Sequence, residues 1–152
     1  MTEANASETL GTLLSAERFG ILCTSADGWP YGNLVAFAVA GKMESLLFAT
    51  HMSSRKYRNL SLNPRASMVI DNRTNSVIDL DRAAAATATG PVFEVPPVEK
   101  SFRDLYLSRH PYLCGLFESP SFRLFRIAVE KYHLVMRFQN VTEIEVTHDL
   151  DI

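Results

Sequence analysis

The sequence predicts a small, mainly β barrel of six or seven antiparallel strands with three helices inserted, folded as a single domain over residues 1–152. Three observations carry that expectation. Short apolar or alternating runs are separated by compact turn signals such as Asp27-Gly28 and Gly41-Lys42, which join strands into hairpins. Connections this short force the joined strands to run antiparallel, because a parallel crossover takes roughly a dozen residues or more. A chain that is 47% hydrophobic and 21% charged can build one core and lacks the bias of a disordered chain. Closing such a sheet on itself removes its exposed edges.

The elements follow in order. Ser7 to Arg18 reads as the first helix, capped by Ser7, with Leu10, Leu13 and Leu14 on one face. Phe19 to Ser25 is the first strand, and Tyr31 to Val39 returns as the second, apolar on both faces. Ser45 to Thr50 is the third. The period then switches to helical over Ser53 to Leu62, capped by Ser53 or Ser54. Asn63-Pro64 ends that helix, since a residue before proline avoids the helical region. Arg65 to Asp71 is the fourth strand and Asn72 to Ser76 a polar loop. The four alanines Ala83 to Ala86 favour helix by propensity. Thr87, Thr89, Val92 and Val95 favour strand, and Ala83 to Val95 is read as a strand bent at Gly90-Pro91. Val98 to Arg109 is the third helix, ended by His110-Pro111. Phe122 to Val129 and Tyr132 to Phe138 are strands, and Glu143 to Thr147 is a short edge strand.

Charge and motifs narrow the function classes. Lys and Arg number 15 against 17 Asp and Glu, so no general attraction to nucleic acid or to an anionic membrane surface is expected. The apolar run Leu34 to Ala40 is far too short to cross a bilayer. Met1 to Glu8 lacks the basic and apolar regions of a signal peptide, and a cytoplasmic location is expected. The two cysteines, Cys23 and Cys114, form no CxxC pair and read as reduced thiols. His51, His110, His133 and His148 show no HxxxH or HExxH spacing, and no metal site is expected. There is no GxSxG, GxGxxG or GxxxxGK[ST], which leaves a hydrolase triad, a Rossmann site and a P-loop without an anchor. No catalytic residue can be named. Asp79 and Asp81 read as solvated loop carboxylates, Arg103 and Arg109 as the solvated face of the third helix, and His110 as a capping residue.

The densest chemistry lies in Phe48 to Leu60, where a strand ends at Thr50 and a helix begins near Ser53. A helix N-terminus presents unpaired N–H groups and a partial positive charge, which favour an anion. Ser53 and Ser54 add hydroxyls. Arg55 can bind phosphate oxygens in bidentate fashion and Lys56 as a point charge. The alternative is a capped amphipathic helix with a basic solvated face, but cations in a first turn oppose the helix dipole unless an anion is present. The strand pair Tyr31 to Val39 and Leu46 to Thr50 could support a planar ring, or could simply be barrel core.

The stretch Phe48-Ala-Thr-x-x-Ser-Ser-Arg-Lys-x-x-Asn-Leu-x-x-Asn-Pro-Arg-Ala-Ser-Met-Val-Ile resembles the FMN-binding segment of the pyridoxamine 5′-phosphate oxidase-like superfamily. Gly28-x-Pro-x-Gly-Asn-Leu-Val-Ala-Phe is similar to that family's strand entering the flavin site, and Ala86-Thr-Ala-Thr-Gly90 to its later strand ending in a glycine turn. The resemblance implies a split β-barrel of the FMN-binding type, assembled as a homodimer with FMN at the interface. It implies that Arg55 and Lys56, with Ser54, hold the FMN phosphate. Ala49 and Thr50 would contact the isoalloxazine or ribityl, and Asn33, Leu34 and Val35 would offer backbone contacts to the ring. A deazaflavin carries the same phosphate and remains open. The end of the chain, Arg137 to Ile152, has no Arg-rich segment of the kind that grips the substrate in the true pyridoxamine oxidases, so vitamin B6 oxidation is not expected. The runs Leu107-x-Arg-His-Pro, Ser121-Phe-Arg-Leu-Phe-Arg-Ile and Leu134-Val-x-Arg-Phe are similar to the haem-utilisation branch, which would make His110 or His133 a haem ligand. The implied activity is that of an FMN-dependent oxidoreductase, flavin reductase-like, acting on a small-molecule substrate or electron donor. The alternatives are a non-catalytic flavin- or haem-binding sensor or carrier, and a structural dimeric barrel.

Overall fold

In the computed structural model, which describes residues 2–148, two antiparallel sheets share one long strand. The first sheet runs β2 (Trp29–Ala36), β1 (Phe19–Ala26), β5 (Arg65–Asp71), β6 (Ala84–Glu94), β8 (Lys131–Met136), β9 (Asn140–Glu145); the second runs β3 (Ala38–Ala40), β4 (Ser45–His51), β7 (Phe122–Ala128), β6. This is the split β-barrel. It has nine strands rather than six or seven, because the run Tyr31 to Val39 breaks at Phe37 and serves both sheets, and because the edge segment pairs along its whole length with β8 as β9.

The crossing of β6 follows from its residues. Ala84 to Thr89 pair with β8 and Val92 to Glu94 with β7. Between them, the strand passes so close to its neighbour that a Cβ on Gly90 would stand 2.1 Å from the Ala128 carbonyl oxygen. Only glycine admits that approach. The alanines form strand despite their helix propensity because Ala84, Ala86 and Ala88 are buried in the barrel, where tertiary packing overrides a weak local preference.

The helices close the ends. Helix α1 (Glu3–Ala16) starts before Ser7, because Thr2 caps it by accepting the Asn5 N–H at 3.2 Å. It buries Ala6, Leu10, Leu13 and Leu14 against the barrel core of Leu22, Phe48, Met68, Ile70 and Tyr132. Helix α2 (Arg55–Leu62) follows β4, the single turn α3 (Asp79–Arg82) precedes β6, and α4 (Lys100–Arg109) leads into a 3-10 segment, Pro111–Glu118. Strand β4 is covered on both sides. Leu46 and Phe48 face the barrel, while Leu47 and Ala49 face a second cluster with Tyr106, Phe102 and Leu107. Burial on both faces explains its unbroken apolar sequence.

Helix α4 also stitches the barrel seam. The Phe37 break leaves carbonyls outside the strand ladders, and a buried carbonyl needs a donor. The Tyr106 hydroxyl donates to Ala36 O at 3.2 Å and His110 Nε2 to Phe37 O at 2.7 Å. Arg109 donates to Ser15 O at 2.6 Å and Glu17 O at 2.7 Å, capping the C-terminus of α1. Arg109 is therefore a tie between elements and not part of a solvated face; Arg103 stacks on Phe117, 5.0 Å from the ring centre. Asp79 likewise departs from the solvated reading. It is buried and accepts the N–H groups of Thr74, Asn75 and Ser76, which hold its carboxyl below the usual range. Cys23 and Cys114 are free thiols, the first half-buried and the second exposed. Among the described residues no helix is long and apolar enough to cross a membrane.

Candidate functional site

The start of α2 is built by hydrogen bonds that its sequence supplies. Ser54 is the N-cap, its Oγ accepting the Tyr57 N–H at 3.2 Å and sharing a 2.6 Å hydrogen bond with Thr50 Oγ1. Thr50 is buried at the end of β4, so the cap is tied to the strand that delivers it. The other end of the helix is pinned to β1: Asn59 Nδ2 donates to Thr24 Oγ1 and Asn63 Nδ2 to Ser25 Oγ, each at 3.0 Å. The Asn59–Thr24 pair is buried, where losing one partner costs about 1–3 kcal/mol. The helix is held rigidly beside the β1–β2 hairpin.

Between helix and hairpin lies a cleft of about 610 Å³. The hairpin contributes Asp27, Trp29, Pro30 and Tyr31, and the turn and helix contribute Met52, Ser54, Arg55, Arg58 and Asn59. The Arg55 guanidinium lies over the Tyr31 ring, 5.2 Å from its centre, a cation–π contact that holds the arginine in place. Among the described residues no ion pair engages Arg55, Lys56 or Arg58. Two cations in the first turn without a counter-charge oppose the dipole by about 0.3–1 kcal/mol each. Lys56 is half-buried, and that burial lowers its ammonium pKa from the ordinary lysine value. An anion would relieve both costs.

The structure brings together part of the expected set. Ser54 and Arg55 line the cleft, with Thr50 directly behind Ser54. Lys56, the next residue on the helix, does not line it. Asn33, Leu34 and Val35 lie further along β2, opposite Leu22, Ile21 and Gly20. Leu34 is 69% exposed and Val35 is inside the barrel. Asn33 is half-buried, and its Oδ1 is shut from solvent with no donor among the described residues. The Ala49 side chain packs toward α4. Reasoning from sequence missed Trp29, Met52, Arg58 and Asn59. The available signals were an isolated tryptophan beside a turn, and arginines at 55 and 58, an i,i+3 spacing that puts both on one helix face.

The two histidines considered for haem are otherwise engaged. A carbonyl only accepts, so His110 Nε2 carries the proton in its bond to Phe37 O and that nitrogen is not free to ligate. His133 Nε2 lies 3.3 Å from Glu143 Oε1 on β9. Among the described residues no group of three or more metal-ligating side chains gathers.

Known proteins place this geometry. Solved structures with the same fold include a heme binding protein from Mycobacterium smegmatis, with a TM-score of 0.83 at 18% identity over 95% of this chain. This chain spans 60% of the mycobacterial protein. An FAD-binding protein from Mesorhizobium loti has a TM-score of 0.68 at 21% identity, over 88% of this chain and 94% of that one. A putative pyridoxamine 5′-phosphate oxidase from Listeria innocua has a TM-score of 0.68 at 16% identity, over 85% and 97%. A search of the curated proteins finds no significant match. The model of the pyridoxamine 5′-phosphate oxidase family matches residues 6–136, a span that takes in both sheets from β1 to β8, α2 and the cleft between them. This chain belongs to the pyridoxamine 5′-phosphate oxidase family.

Proposed function

We propose that this chain is a cytoplasmic, FMN-binding oxidoreductase of the flavin reductase type, working as a homodimer with the cofactor at the subunit interface. The observation that carries the reading is the set of cations at the capped start of α2 that have no ion pair among the described residues, beside a cleft large enough for more than a solvent ion. Ser54, Arg55 and Lys56 would hold the phosphate, and the cost of placing cations there disappears once a dianion is bound. Asn33 to Val35, together with Ala49 and Thr50, would border the ring. The unmet acceptor Asn33 Oδ1 suits a ring N–H, and the exposed Leu34 suits burial against a second subunit. Bound FMN supplies hydride or electron transfer. The protein's part is to anchor the phosphate, fix the ring and exclude water.

A non-catalytic flavin or haem carrier is the second reading, and one observation favours it. The lining of the cleft holds no histidine, cysteine or lysine and a single carboxylate, Asp27, so no acid–base pair is assembled there. The neighbour described as a heme binding protein is consistent with it.

One experiment tests the main reading. The purified protein should bind FMN in equilibrium dialysis, and Arg55→Ala with Lys56→Ala should weaken binding by at least about a hundredfold while leaving the far-ultraviolet spectrum unchanged. A folded protein with no measurable FMN affinity ends the proposal. Reduction of the bound flavin by NADH or NADPH separates the enzyme from the carrier.

A further inference from the structure

The cleft beside α2 holds more than a phosphate needs. Its strand wall carries Trp29 and Tyr31, two positions apart on β2 and therefore on one face, about 7 Å apart along the strand. Its helix wall carries Arg55 and Arg58, also on one face. Tyr31 is already covered by the Arg55 guanidinium. Trp29 is not: it is 79% exposed, at the start of β2 directly after a hairpin turn made by Asp27 and Gly28 at φ 54° and 79°. Arg58 has no carboxylate partner among the described residues. A phosphate at Arg55 thus has a second guanidinium one helical turn away and an uncovered indole across the cleft. That pattern matches two linked phosphates followed by a flat heterocycle.

We propose that this cleft takes the adenosine diphosphate group of a dinucleotide, the diphosphate between Arg55 and Arg58 and the adenine stacked on Trp29. The proposal rests on the reading that Arg55 belongs to a phosphate site. The group has two sources: the tail of FAD, whose flavin-side phosphate would take the place given above to that of FMN at Arg55, or a free dinucleotide such as NAD(P)H, which would compete with FMN for Arg55; the cleft chemistry is the same for both.

Trp29 is the chain's single tryptophan, so its emission reports the site directly. Titration with ADP should quench that emission, and inorganic pyrophosphate should reverse the effect. In calorimetry, Trp29→Ala should weaken ADP about tenfold, the usual size of one lost base–aromatic stack. Trp29 is exposed at the start of β2, and an unchanged far-ultraviolet spectrum certifies the fold. FAD binding at least tenfold tighter than FMN assigns the group to the flavin. NADH competing with both ADP and FMN, with FAD no tighter than FMN, assigns it to a free dinucleotide. If ADP leaves Trp29 emission unchanged while FMN binds, this proposal fails and the FMN reading stands. If ADP quenches and no flavin binds, the adenosine diphosphate site stands and the FMN reading fails.

Discussion

Burial without a carboxylate partner biases a lysine toward its neutral form, and Lys56 is half-buried with no ion pair among the described residues. A bound phosphate would favour the charged form instead. The sign of the linkage follows: affinity for FMN is full while Lys56 is protonated and is lost as pH rises through its lowered pKa. FMN affinity should therefore fall by up to about tenfold from neutral to alkaline pH, beginning below the range of an ordinary lysine. Lys56→Arg should flatten that profile, since a guanidinium stays charged throughout. A dissociation constant independent of pH in the parent protein would remove Lys56 from the phosphate site. At this scale the sequence was legible wherever the chemistry was local. Ser54 as a cap and Arg55 and Lys56 after it depend on neighbouring residues alone. His110 caps the end of α4 as expected, but Arg109 was misread and the second bond of His110 went unseen, because their acceptors, Ser15 and Phe37, stand 94 and 73 positions away. Asp79 was misread because the N–H groups that bury its charge come from a folded loop whose letters spell only polarity.

Among the elements, β6 is the most constrained. Replacing Gly90 with alanine places a methyl 2.1 Å from a backbone oxygen, which no side-chain motion can relieve. Gly90→Ala should cost about 3 kcal/mol or more, measured by urea unfolding. A loss under about 1 kcal/mol would mean that the two sheets can move apart at that corner. The bend itself was readable from Gly90-Pro91, as were the strand character of Ala84–Glu94 and the limits of α2. The break at Phe37 was not. Val35 to Val39 is uniformly apolar, and periodicity carries no mark where a strand leaves one sheet for another. The donors that make the break tolerable, Tyr106 and His110, arrive from α4.

For the molecule as a whole, the barrel class and its antiparallel wiring were legible because turn signals and short connections leave few alternatives. The cleft was not, because it forms between a hairpin at 26–31 and a helix start at 52–59, and only packing brings them together. The homodimer proposed above makes its own demand. Leu34, 69% exposed on an edge strand, would lie in the contact. The protein should sediment at twice the chain mass, and Leu34→Asp should give a monomer that has lost FMN, because an unpaired carboxylate does not tolerate a dry interface. A parent protein that sediments as a monomer with FMN bound would refute the shared site.

The long strand that both sheets hold in common has a thermal consequence. Neither sheet can shed its ladder to β6 without unravelling the edge on which the other is built, so the two halves melt as one cooperative unit. Heat should not leave one half standing as a partly folded relic: the wall that carries Trp29 and the wall that carries Thr50 are lost together.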